Sequence, residues 1–168
     1  VDAALTESPE LLAHREPRGW TWLHLACRRE VEDDAARAAA RIETAKVLLR
    51  PGLPLNDAAF TEGSWRATPL WCAIGRGRNL SLARFLLDQG ADPEHCLWAA
   101  VFNRDAAAIH LLVSHGARLD PYAEGETPFL AAISWSHFEA AEARLRHGAD
   151  PNVKDVKGRT ALHKMIKK

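Results

Sequence analysis

The residues with the widest chemical repertoire in this chain are eight histidines and three cysteines, and their spacing removes most of the sites they could build. His110 and His115 are five positions apart, which does not set both on one face of a helix. His95 beside Cys96 is the one His–Cys neighbour pair, and two adjacent side chains with no second pair nearby make weak metal ligands. Cys27, Cys72 and Cys96 are an odd number with no Cys-x-x-Cys spacing, which argues against a disulfide framework or a zinc ribbon and for a reducing compartment. A nucleophile elbow, a phosphate loop, a His-Glu-x-x-His helix and a dinucleotide fingerprint are absent, and Gly75-Arg76-Gly77 lacks the further glycine such a fingerprint needs. Acidic residues fall in loops and at helix starts, where capping explains them. Asn79-Leu80-Ser81 has the form of a glycosylation acceptor, a tripeptide common by chance. The expectation is no catalytic residue, no cofactor and no bound metal.

What then has to be explained is the framework. The 168 residues suit one domain with a sizeable core, and 47% hydrophobic against 26% charged residues is an ordinary globular balance. Lys plus Arg and Asp plus Glu both total 22, so no net charge holds a polyanion and nucleic acid is not an expected partner. The longest apolar run, Cys96 to Phe102, is far short of a membrane span, and the opening Val1-Asp2-Ala3-Ala4-Leu5 does not read as a signal peptide. A cytoplasmic location is expected, although a start at Val leaves room for a removed leader.

One short phrase recurs: Thr21-Trp22-Leu23-His24-Leu25-Ala26, Thr68-Pro69-Leu70-Trp71-Cys72-Ala73, Thr127-Pro128-Phe129-Leu130-Ala131-Ala132 and Thr160-Ala161-Leu162-His163, with a degenerate copy His95-Cys96-Leu97-Trp98-Ala99-Ala100. The starts lie 47, 27, 32 and 33 residues apart, a period near 33 with an early insertion and a compensating deletion. A leucine-rich stretch and then a glycine follows the phrase: Val47-Leu48-Leu49 before Gly52, Phe85-Leu86-Leu87 before Gly90, Leu111-Leu112-Val113 before Gly116. Threonine can cap free amides, proline at the first helical position loses no hydrogen bond, and glycine ends a helix. Each unit reads as helix, short turn, helix, glycine stop and polar hairpin-like loop.

These features resemble the ankyrin repeat family, whose unit of about 33 residues opens with Thr-Pro-Leu-His. The resemblance covers roughly residues 16 to 168 and is best from Gly148-Ala149-Asp150-Pro151 through Gly158-Arg159-Thr160-Ala161-Leu162-His163. It implies an all-α ankyrin-repeat solenoid of stacked helix-turn-helix units: an N-terminal cap over 1–18 that includes Ser8-Pro9-Glu10, repeat 1 with an insertion over 19–66, repeat 2 over 67–94, repeat 3 over 95–125, repeat 4 over 126–158 and a partial repeat over 159–168. The insertion is alanine-rich, opens with Glu32-Asp33-Asp34 and reads as a lengthened second helix. The five residues from Gly90 to His95 are too short for a projecting finger. Ala26, Ala73, Ala100 and Ala132 fall in one column of small residues that lets neighbouring helices approach.

The resemblance further implies a non-catalytic module that binds another protein through a concave face of helices and fingers; a monomer is expected for the chain alone, with its oligomeric state not readable from the sequence. Carried over position by position, the helix-column contacts are Arg28 and Arg29, Gly75 and Arg76, Phe102 and Asn103, and Ser134 and Trp135. The finger contacts are Trp20, Trp65 with Arg66, Tyr122 with Glu124 and Glu126, and Arg159. Arginine at one end and aromatic rings at the other suit a partner segment with an acidic side and an apolar anchor. Trp71 and Trp98 stand where the family has histidine and are expected in the core, and Trp22 is expected to cover a repeat edge. A narrower reading in the same fold is a stoichiometric inhibitor or immunity-type protein that blocks one enzyme; rivals of another class are the targeting fragment of a larger enzyme and a purely structural scaffold.

Overall fold

A computed structural model of the protein describes residues 12–30, 34–50, 52–62, 65–119 and 125–166. The expected cap residues Ser8-Pro9-Glu10, the acids Glu32 and Asp33, and the finger residues Tyr122 and Glu124 lie outside them. Helices dominate the described residues, and the chain divides into two compact units, Val1–Asp92 and Pro93–Lys168. The division falls in the short connection after Gly90, where the backbone makes a turn at Glu94-His95 instead of paired strands.

In the first unit, α1 (Trp22–Cys27) and α2 (Ala35–Leu49) form one helix pair, and α3 (Pro69–Gly75) and α4 (Leu80–Asp88) form the next. α1 packs on α2 and α3, and α4 packs on α2 and α3, so like helices adjoin like. The starts are chemical: the Thr21 and Thr68 side chains accept hydrogen bonds from the His24 and Trp71 amides, and Pro69 occupies the first turn of α3. α4 buries Leu82, Ala83, Leu86 and Leu87, an i, i+1, i+4, i+5 stripe, and each leucine removed from water is worth about 2 kcal/mol. α2 is the lengthened helix expected from the insertion, capped by Asp34; it buries only Ala45 and Leu48 and owes its length to the helix propensity of its alanines. At the end of α4 the amides of Gly90 and Ala91 bond the Leu87 and Leu86 carbonyls at 2.9 Å with Gly90 at φ +91°, the left-handed stop that glycine adopts freely.

Between α2 and α3 lies a long connection that carries a small hairpin, β1 (Thr61–Glu62) antiparallel to β2 (Trp65–Arg66). Its anchor is the buried His24, whose Nε2 lies 3.0 Å from both the Asp57 and Ala67 carbonyls. Carbonyls only accept, so Nε2 carries the proton and Nδ1 accepts from the Thr21 hydroxyl at 2.7 Å. Burial holds the His24 pKa below its ordinary value, against the opposing pull of those two carbonyls. Beyond α3, Gly77 makes a close approach possible, since a Cβ there would sit 2.2 Å from the Cys27 carbonyl oxygen.

In the second unit, α5 (Leu97–Phe102) pairs with α6 (Ala106–Ser114), α7 (Pro128–Ser134) pairs with α8 (Phe138–Arg146), and α9 (Ala161–Ile166) packs on α7. α5 and α7 adjoin, as do α6 and α8. Thr127 caps α7 ahead of Pro128, and Asp105 caps α6, whereas α5, which opens on the degenerate phrase, has no side-chain cap bond from Cys96. Ala100 and Ala132 are fully buried here, as Ala73 is in the first unit, with Ala26 at 6%, so the small-residue column lies in the core.

α9 buries none of its residues and is held by charge instead. Lys164 Nζ lies 2.5 Å from Glu126 Oε2, 2.9 Å from Ser134 Oγ and 3.5 Å from Asp155 Oδ2. Asp155 also accepts from the Arg159 guanidinium at 2.7 and 2.8 Å and from the Lys157 and Arg159 amides at 2.9 Å. Burial alone would raise the Asp155 pKa; these donors overcome it and hold the carboxyl well below the usual range.

Candidate partner-binding surfaces

Arg28 and Arg76 are the C-cap residues of α1 and α3, where a cation complements the exposed carbonyls. The guanidinium of Arg28 lies 4.9 Å from the centre of the Trp20 ring, a cation–π contact that orients it. Arg76, Arg29 and Arg66 are exposed. The two helices that these arginines cap, α1 and α3, pack against each other. Arg78, in the same turn as Arg76, faces Glu30 at 4.0 Å.

Trp20, a candidate finger contact, is 6% exposed and offers a partner no surface. The reason is the long connection, which folds Phe60 edge-on against it at 5.3 Å while His24 meets its ring at 5.6 Å. Trp65 continues the same cluster, 4.6 Å from Phe60 and 4.9 Å from Trp71, and is half-buried. Trp71, expected in the core, is likewise half-buried. Trp22 stands at an edge, stacked on His14 at 5.1 Å.

In the second unit the aromatic rings reach the surface. Phe102, the last residue of α5, is 67% exposed, and Trp135, the C-cap of α7, is 39% exposed. Their rings meet at 5.8 Å and 87°, and Trp135 also touches Trp98 at 6.0 Å and His137 at 5.8 Å. His137 is fixed in turn by a 2.9 Å contact from Nδ1 to the Val101 carbonyl. Asn103 caps α5 beside this patch and is half-buried. Ser134 is engaged internally, its hydroxyl donating to the Leu130 carbonyl at 3.0 Å beside Lys164, and Glu126 and Arg159 are tied to Lys164 and Asp155.

Comparison with known proteins agrees with this geometry. The description "Ankyrin repeats (3 copies)" matches residues 96–168 and "Ankyrin repeat" matches residues 65–96, which together exceed half of the chain. The chain belongs to the ankyrin repeat family. A fowlpox virus (strain NVSL) protein described as an ankyrin repeat protein is 34% identical over 87 residues, 49% of this chain. The chain spans 15% of that relative's length.

Ankyrin repeats are in general protein–protein interaction modules. Among the described residues no group of three or more His, Cys, Asp or Glu side chains could hold a metal ion, and no helix is long and apolar enough to cross a membrane. Cys27, Cys72 and Cys96 are all buried. Burial pushes Cys72 up to about 12 against the opposing pull of Arg28 and Arg76, and raises Cys27 well above its ordinary value, so neither is a thiolate nucleophile near neutrality. Sequence reasoning missed two members of the second-unit patch, Trp98 and His137. A signal for Trp98 was present, since it lies four residues before Phe102 on one helix, the spacing that puts both on one face.

Proposed function

We propose that this chain is a non-catalytic module that binds a partner protein through the turn-side ends of its first helices, with an arginine surface in the first unit for carboxylates and an aromatic surface in the second for an apolar anchor. The observation that carries the reading is the exposure of Phe102 and Trp135 in ring-to-ring contact. Large apolar groups left in water side by side are uncommon away from interfaces, and Trp and Arg are the residue types most often decisive at them. Arg28, held over Trp20, and Arg76 add fork-shaped donors that match carboxylates.

The test is selection from a displayed random-peptide library on the wild-type chain, repeated on Phe102→Ala with Trp135→Ala and on Arg28→Ala with Arg76→Ala. The reading expects two enriched classes, acidic sequences and sequences with an aromatic or aliphatic anchor, with loss of the anchored class on the first variant and of the acidic class on the second. Enrichment that is the same on all three chains would overturn it.

A further inference from the structure

Away from the surfaces described above, two histidines far apart in sequence meet. His110 lies in the middle of α6 and is exposed, and His147 is the half-buried C-cap of α8. Nδ1 of His110 is 3.2 Å from Nε2 of His147, and the ring centres are 5.0 Å apart. α6 and α8 pack side by side, and the His147 amide is bonded to the Ala143 and Arg144 carbonyls at 3.3 and 3.1 Å, so regular structure holds both ring positions.

We propose that His110 and His147 form an open two-histidine site for a zinc-like divalent ion that clamps the second helices of repeats 3 and 4. The first argument is geometric. Two imidazole nitrogens at zinc bond length on a tetrahedral centre lie about 3.3 Å apart. The observed 3.2 Å is close to that value, so one ion can reach both nitrogens with little movement of either ring. The second argument is chemical. Imidazole nitrogen is a preferred ligand of zinc, and a neutral His–His contact already shares a proton between two lone pairs, the place a metal ion takes. The third is electrostatic: Arg146, the cation adjacent to His147 in sequence, is paired with Glu142 at 2.7 Å, so its charge does not stand uncompensated near the ion. Since the described residues hold no group of three donors, the two imidazoles are the protein ligands and water completes the coordination.

Binding requires both helices in their folded positions, so the metal stabilises the second unit by mass action. The experiment is calorimetric titration of the untagged full chain with zinc chloride in a non-chelating buffer. Thermal melts with and without zinc accompany it. Wild type is expected to take one ion per chain and to melt higher with zinc. His110→Ala and His147→Ala are each expected to lose both effects, while His115→Ala keeps them. Circular dichroism checks that each variant is helical, and if His147→Ala is not, His110→Ala decides alone. Uptake by His110→Ala equal to wild type, or no uptake by wild type, would overturn the site.

Discussion

The two units use aromatic residues in opposite ways. In the first, Trp20, Phe60, Trp65 and Trp71 form a chain of edge-to-face contacts beneath and within the long connection, and the column at the helix ends carries Arg28, Arg29 and Arg76. In the second, the corresponding column carries Phe102 and Trp135, and these rings face solvent. One repeat plan thus yields a cationic surface in one unit and an aromatic one in the other. A ring is core where a second segment lies over it and surface where none of the described residues does. The attachment of each unit's peripheral element differs as well: the first ties its connection down with a buried neutral imidazole, and the second ties down α9 with an ionic cluster around Lys164.

The contrast can be broken most sharply at its tryptophans. Trp20→Ala should cost about 3–5 kcal/mol of unfolding free energy in urea, the range for emptying a buried aromatic site. A cost near zero would make the first-unit cluster a surface feature and erase the difference between the units. Next in size, Gly77→Ala should destabilise by about 1–3 kcal/mol, because its Cβ would meet the Cys27 carbonyl and separate α1 from α3. Loss of hydrogen-exchange protection confined to the first unit would check where the strain falls. Trp135→Ala should cost only about 1 kcal/mol, the worth of its edge contacts with Phe102 and Trp98, while removing the anchor preference in peptide selection.

The smallest effect expected is a pair of pH windows. His24 is held neutral by burial, so the unfolded chain binds more protons than the folded one below the ordinary histidine value; its contribution is full above about pH 6.5 and declines as pH falls toward the depressed folded value. Asp155 is also depressed, so its contribution is full above about pH 3.9 and is lost only as pH falls toward a folded value lower still. Amide exchange should therefore show α1 loosening between about pH 6.5 and 4 while the Lys157 and Arg159 amides stay protected. The reverse order would mean that the ionic cluster, not the imidazole, is the acid-sensitive attachment.

Much of the fold was legible because its signals are local. The Thr-Pro starts, the glycine after each leucine-rich stretch and the alanine column each act within a few residues of where they are written, and the long α2 follows from its run of alanines under Asp34. The candidate surface was legible only in part. Arg76, Phe102 and Trp135 stand exposed, whereas Trp20 is buried by Phe60, forty positions later, and Ser134 is engaged by Lys164, thirty positions later.

The sequence by itself determined the repeat: its period, its helix ends and the small residues that let helices approach, because capping, propensity and backbone freedom depend on near neighbours. Only the tertiary structure decided which tryptophans are covered, which carboxylates Lys164 answers and that His110 meets His147 across two helices. Burial and pairing are set by segments that packing brings together from far along the chain, and no local pattern encodes that encounter.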